Sequence, residues 1–366
     1  MALGTWVLDL RRITVFAKTP EARASAEMLL QPYGLSPEFS SSERNAGVCL
    51  SESARVGDSV LDASTLHYAS LANCFSRKFL RHFKLYLAFA KTGLRVPSLF
   101  KKMRPKKKLV QHSDEAARLR MAFAGALHEE KIVGSRLRTT PAFLFTHDVD
   151  SESSLKKIPE LLALEESFGI RSFWFVLSGL REKLFARFPE LEERSFSHGF
   201  KHDGTLLSGE ATMREHLRQS VWNRGFRAPW LHHSTALFGE LAKLGVRFDS
   251  SIPNFENMTH FIEPGGCGEI IPFDLFGRNF KKLGVREYPV TLYQDYAFYN
   301  RYGSSDGEIL DYYRGRIDFL AENGGLVNLL THPDEKDSGS QRGLKNYGKI
   351  LEHACAYRKF WLKKIA

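Results

Sequence analysis

Cysteine is scarce in this chain. Four residues, Cys49, Cys74, Cys267 and Cys355, are spread over 366 positions, with no CxxC pair among them. That excludes a disulfide framework and a thiolate-rich zinc site, and makes a reduced, intracellular setting the expectation. Long hydrophobic runs are missing as well. No stretch approaches the 18 apolar residues of a membrane span. The opening MALGTWVLDLRRITVFA lacks a basic start, a clean apolar run and a small-residue cleavage site, so no secretory leader is expected. There is no internal repeat of fixed period. There is also no RNP, helix-turn-helix or zinc-finger signature, which argues against a nucleic-acid partner.

One window lacks acid altogether. Residues 75–110 hold 12 of the chain's 52 Lys and Arg and none of its 42 Asp and Glu. The net charge of +10 is therefore local, and a local basic surface points to a local partner. Phe79, Leu80, Phe83, Leu87 and Ala90 recur there at roughly helical spacing, interleaved with Arg77, Lys78, Arg81 and Lys84; Lys101–Lys108 form a second cluster. Two readings fit: a basic amphipathic helix lying peripherally on an anionic membrane, or a helix with a buried apolar face and a solvated basic one.

Residues 1–110 read as a small α/β unit of unknown role that ends in this basic segment. Arg12–Ala17 and Ala46–Leu50 suit strands and Glu21–Leu30 a helix. A linker or boundary is expected between about Arg104 and Arg138, with a second unit over 138–366. From Pro141 short apolar runs alternate with helical stretches: a strand over Ala142–Thr146, a helix from Pro159 to Phe168 with Gly169 past its end, and a strand at Ser172–Leu177. Later come helices near Ala211–Asn223, Ser234–Leu244 and Glu308–Glu322, a strand at Leu326–Thr331, and a closing helix over Leu344–Lys364. Such alternation implies a mostly parallel sheet, and the number of units suits a barrel or partial barrel.

Polar residues recur where these strands should end: Thr146-His147-Asp148-Val149-Asp150, His198-Gly-Phe-Lys-His202, Arg227-Ala-Pro229 and Thr331-His332-Pro333. The C-terminal strand edge of a β/α barrel is where catalytic groups collect. Taken singly, each has an ordinary explanation, such as a helix cap or a loop. Their order and shared position favour a common site. Two imidazoles and a carboxylate make an open three-ligand metal site. A second carboxylate can take a proton from water, a histidine can protonate a leaving nitrogen, and an arginine can hold the base ionised.

These residues resemble the motifs of the polysaccharide deacetylase family, carbohydrate esterase family 4, with its NodB-homology domain. The resemblance runs from about residue 140 to the end, roughly three-fifths of the chain. It implies a distorted (β/α) barrel and a divalent metal, usually zinc, with cobalt, nickel, manganese or iron in some members. THDVD is similar to the first motif, which makes Asp148 the general base and Asp150 a metal ligand. His198-Gly-Phe-Lys-His202 is similar to the second and supplies the other two ligands. Arg227-Ala-Pro229 is similar to the third, with Arg227 paired to the base and Pro229 and Trp230 on the substrate side. Leu330-Thr-His332 is similar to the fifth, with His332 as general acid and Leu330, alongside Leu292, a candidate pocket wall. The chain departs in three places. Val149 separates the carboxylates, Gly199 replaces a Ser or Thr, and Asp249-Ser-Ser-Ile252 stands in for the fourth motif without its Trp. Asp203 is a candidate to orient a ligand.

The resemblance implies removal of an N-acetyl or similar acyl group from a sugar or glycan precursor, in the cytoplasm or at the inner face of the membrane. An amide hydrolase acting on a small formyl or ureido compound is the alternative. A pure binding module built on the basic segment is a third reading. The ring cluster Tyr293, Tyr296, Phe298, Tyr299 and Tyr302 would either stack on pyranose faces or pack against a neighbouring helix.

Overall fold

The structure is a computed structural model that describes residues 12–51, 53–61, 65–69, 111–112, 114–133, 137–202, 206, 210–256 and 268–365. The basic segment 75–110, Cys74, Cys267 and Asp203 lie outside the described residues. Among the described residues no helix is long and apolar enough to cross a membrane.

The first unit is a five-stranded sheet with the order β2-β1-β3-β4-β5. Strand β1 (Arg12–Ala17) runs parallel to both neighbours, β2 (Ser36–Phe39) and β3 (Val48–Leu50). Strands β4 (Ala54–Val56) and β5 (Ser59–Leu61) fold back antiparallel. Helix α1 (Pro20–Leu30) starts where Thr19 Oγ1 accepts the Ala22 amide and Pro20 pre-sets the first turn. Its small residues Ala22, Ala24 and Ala26 are all buried.

The second unit is an eight-stranded sheet, β13-β14-β11-β10-β9-β8-β7-β15. Seven strands are parallel: β7 (Ala142–Val149), β8 (Phe173–Val176), β9 (Ser195–Ser197), β10 (Gly225–Phe226), β11 (Phe248–Asp249), β14 (Lys282–Glu287) and β15 (Leu326–Thr331). Only β13 (Phe273–Phe276) is antiparallel. β8 and β15 are buried along their whole length, as continuous apolar runs in a covered parallel sheet must be. Between β14 and β15 side chains do the bridging. Asn328 Nδ2 donates to the Tyr288 and Pro289 carbonyls at 3.2 and 3.1 Å. Thr291 Oγ1 donates to Leu326 O at 2.5 Å and accepts the Asn328 amide at 3.0 Å. This is the distortion of the barrel: one seam is held by Asn and Thr side chains.

Two helices differ from expectation. The one expected to open at Pro159 begins at Ser154 and carries Pro159 inside it. Proline costs the bond its nitrogen would have given, but the turn before it is held otherwise. Ser151, Ser153 and Ser154 all donate to the Asp334 carboxylate, at 3.0, 2.6 and 2.9 Å. The closing helix ends at Ala354, not Lys364. The chain then turns so that Leu362 N–H reaches Phe143 O at 2.9 Å and Trp361 meets Phe145 edge-on. Burial of those rings outweighs continued helix.

The stretch expected to be linker contains structure. Strand β6 (Gln111–His112) pairs antiparallel with β12 (Phe255–Glu256), and helix α2 (Glu115–Glu129) follows. On α2, Arg120 is buried and its guanidinium meets Glu269 at 3.2–3.3 Å and the Tyr33 hydroxyl at 2.9 Å. Tyr68 donates to the same Glu269. The two units share one core: Met28 and Leu29 of α1 cluster with Phe273, Leu275 and Val285 of the barrel. Glu269→Gln would leave the Arg120 charge buried without a counter-charge, a loss of about 3–5 kcal/mol. The expected result is a clearly lower urea midpoint by circular dichroism, partly recovered in the Arg120→Met/Glu269→Met double variant. A midpoint equal to that of the native chain would dissolve the argument for this pair.

Candidate metal centre

All seven parallel strands deliver their C-terminal ends to one edge. Asp148 lies at the end of β7 and Asp150 just beyond it. His198, Arg227 and His332 are each the first residue past β9, β10 and β15. The parallel register converts four separate stretches of sequence into one cluster.

Asp150, His198 and His202 each offer a ligand atom, and these atoms all lie within 4.8 Å of one another. Asp150 Oδ1 is 3.0 Å from His198 Nε2, and Asp150 Oδ2 is 3.4 Å from His202 Nε2. His198 Nδ1 donates to the Arg227 carbonyl at 2.9 Å, which turns Nε2 toward Asp150 and His202. Asp150 Oδ1 and His198 Nε2 are both buried and neither makes a hydrogen bond. Buried polar atoms are rarely left so. Two imidazoles and a carboxylate with inward orphan atoms are a donor set that fits zinc or a similar divalent ion. Burial opposes the charge of Asp150, but His202, His198 and His332 outweigh it and hold the carboxyl below its ordinary range. Burial lowers His202, while in His198 the carboxylates of Asp148 and Asp150 overcome burial and raise it.

Asp148 is held from one side. Arg227 Nη1 donates to its Oδ1 at 2.8 Å, and its Oδ2 stands 3.7 Å from His198 Nε2. Arg227 is fully buried, donates also to Thr146 Oγ1, Ser250 O and Ser250 Oγ, and stacks 4.0 Å over the Phe175 ring. His332 Nε2 stands 3.8 Å from Asp150 Oδ2. Its Nδ1–H donates to Asp295 Oδ1 at 2.7 Å. Asp295 Oδ2 accepts from the His332 and Ser338 amides and the Ser338 hydroxyl, so both carboxylate oxygens are fixed. Asp295 was not among the expected residues. It opens the short helical stretch that follows Thr291, and the only sequence signal was an isolated acid amid aromatic residues.

The remaining candidates separate. Trp230 is half-buried and its indole N–H reaches His202 Nδ1 at 2.9 Å. Pro229 is buried beneath it. Leu330 and Leu292 belong to the core. Asp249 is wholly buried and accepts from the Ser251 amide and hydroxyl at 2.9 Å, fastening the turn that carries Ser250. Of the five rings after Thr291, Tyr293 and Phe298 are buried and pack on the helix over Asp306–Glu322, through Tyr312 and Tyr313. Tyr296 is exposed, 6.4 Å from the His332 ring. Gly199 has a physical reason. Its φ is +84°, and a Cβ there would meet the Pro229 ring at 3.0 Å and His216 Nε2 at 3.2 Å.

No family model matches the chain, and no curated protein matches it in sequence. Solved structures do. One described as a polysaccharide deacetylase from Mycobacterium smegmatis is 18% identical, with a TM-score of 0.50, over 63% of this chain and 88% of that one. Puue Allantoinase is 13% identical with a TM-score of 0.49, over 61% and 87%. A structure described as a polysaccharide deacetylase from Pseudomonas aeruginosa PAO1 is 13% identical with a TM-score of 0.46, over 61% and 88%. The first establishes the fold of the second unit as the distorted barrel of the polysaccharide deacetylase type.

Burial would lower His332, but the Asp295 carboxylate outweighs it and holds the imidazole well above its ordinary value of 6.5. The folded value exceeds the unfolded one, so this pair stabilises fully below pH ~6.5 and less as pH rises through the folded value. Asp295→Asn should lower the His332 titration, followed by imidazole NMR, and flatten that pH dependence. An unmoved titration would remove Asp295 as the partner.

Proposed function

We propose that this chain is a metal-dependent hydrolase that removes an N-acetyl or similar acyl group from a sugar or glycan precursor. One observation carries the reading. Three ligand atoms within 4.8 Å of one another have beside them an arginine-held carboxylate, 3.7 Å from His198 Nε2, and an aspartate-held imidazole, 3.8 Å from Asp150 Oδ2. An open metal position between a base and an acid is what hydrolysis of an unactivated amide requires.

Asp150, His198 and His202 would hold the ion. When bound, it supplies Lewis acidity toward the amide carbonyl and toward water. Asp148 takes the water proton on the oxygen that Arg227 does not occupy. Arg227 fixes the orientation of that carboxylate through its 2.8 Å hydrogen bond to Oδ1. His332 enters the reaction protonated, because Asp295 stabilises its imidazolium, and it delivers the proton from Nε2 to the leaving nitrogen. Trp230 and Tyr296 are the rings left at the site edge to stack on a pyranose, on the His202 and His332 sides respectively.

Activity on a panel of N-acetyl sugars, lipid-linked sugars and small amides, before and after chelation, tests the reading. Chelation should abolish turnover and zinc or cobalt should restore it. Asp148→Asn should retain metal and lose most activity. His332→Ala should retain metal and lose about 10²–10⁴-fold in rate, the scale of one acid–base group. His198→Ala should lose the metal itself. Equal metal loss in all three variants would show that ligands and proton-transfer groups have been exchanged in this assignment.

A further inference from the structure

Trp230 makes a hydrogen bond to one histidine of the metal centre. An indole N–H can only donate. That of Trp230 points at Nδ1 of His202, 2.9 Å away. A ring nitrogen that accepts a hydrogen bond carries no proton, so the proton of His202 sits on Nε2. Nε2 is the atom that faces Asp150 Oδ2 at 3.4 Å. His198 is arranged the other way, with its Nδ1–H on the Arg227 carbonyl.

A metal ligand must present a lone pair. If His202 binds through Nε2, its proton moves to Nδ1 and opposes the indole N–H, donor against donor. If it binds through Nδ1, the indole occupies the place of the ion. Either way, ligation by His202 and the Trp230–His202 hydrogen bond exclude each other. The backbone supplies a second observation. Trp230 and Leu231 are both left-handed, with φ of 59° and 53°, and few side chains adopt this conformation in succession. A turn with Leu231 N–H on Ala228 O and His232 N–H on Pro229 O holds the indole over the histidine.

We propose that Trp230 is a latch on the metal site. In the metal-free protein it holds the third ligand in the tautomer that cannot bind, and an entering ion must expel the indole. The site thus binds metal more weakly than its aspartate and two histidines alone would allow. This rests on the metal reading above, and it predicts the opposite sign from a supporting role for Trp230, in which its loss would weaken binding.

The test uses the full chain, native and Trp230→Phe. Zinc affinity is measured by competition with a chromophoric chelator, and the His202 tautomer by long-range nitrogen–proton NMR of the imidazoles without metal. The expected results are an Nε2–H tautomer for His202 in the native chain and an indole N–H resonance that moves on adding zinc. Zinc binding should be about fivefold tighter in Trp230→Phe, the worth of one neutral hydrogen bond. Unchanged or weaker zinc binding in Trp230→Phe, or an Nδ1–H tautomer in the native chain, overturns the latch while leaving the metal reading intact. No zinc binding by either chain overturns the metal reading and the latch with it. Should Trp230→Phe fail to fold, the tautomer and the indole shift in the native chain still decide.

Discussion

A guanidinium sealed inside a protein must have each nitrogen hydrogen-bonded and its charge met, because burial of an unpaired cation costs several kcal/mol. Arg227 meets that demand at the centre of the barrel, and the demand organises what surrounds it. Its partners come from β7 through Thr146 and Asp148 and from the end of β11 through Ser250, while the Phe175 ring of β8 covers its face. Ser250 Oγ passes the link on to Tyr288 O and accepts from Asn328, the residue that closes the seam between β14 and β15. Remove the cation and Asp148 loses its orientation, Ser250 its donors and the seam one of its anchors.

Beyond this centre the site alternates in sign. Asp148 faces Arg227, Asp150 faces three imidazoles, and His332 is backed by Asp295. Each carboxylate has a positive or polarised neighbour, so the cluster carries charge into a buried place without an isolated ion. Under the proposed mechanism the base is the carboxylate beside the guanidinium, and the acid is the imidazole beside a carboxylate.

Much of this was written in the chain. Strand β1 and strand β15 were readable to the residue, since β1 alternates between buried and more exposed positions and β15 is a mainly apolar run that gives way to Thr331 and His332. The cluster Asp148, Asp150, His198, His202, Arg227 and His332 was readable because parallel strands bring successive ends to one edge. Asp295 was not. It acts through a contact with a residue 37 positions away, and a single acid at the start of a short helical stretch carries no periodic signal. The helix over Ser154–Phe168 was started late because its first turn depends on Asp334, again a tertiary partner. The rings after Thr291 could not be divided between core and groove by spacing, since a buried and an exposed tyrosine look alike in sequence. Gly199 read as a departure from a motif. Only the Pro229 ring packed against it shows why a side chain is excluded.

The shared core between the two units has a kinetic side. Tyr68 and Glu269, which close the junction together with Arg120, are 201 positions apart in the chain. Contacts between distant positions form late, since the loop between them must be ordered first. During synthesis from the N-terminus, the apolar face of α1 therefore emerges long before Phe273 and Leu275, which cover it. The nascent first unit travels with an uncovered hydrophobic surface until most of the barrel has been made, an interval in which a chaperone has something to hold.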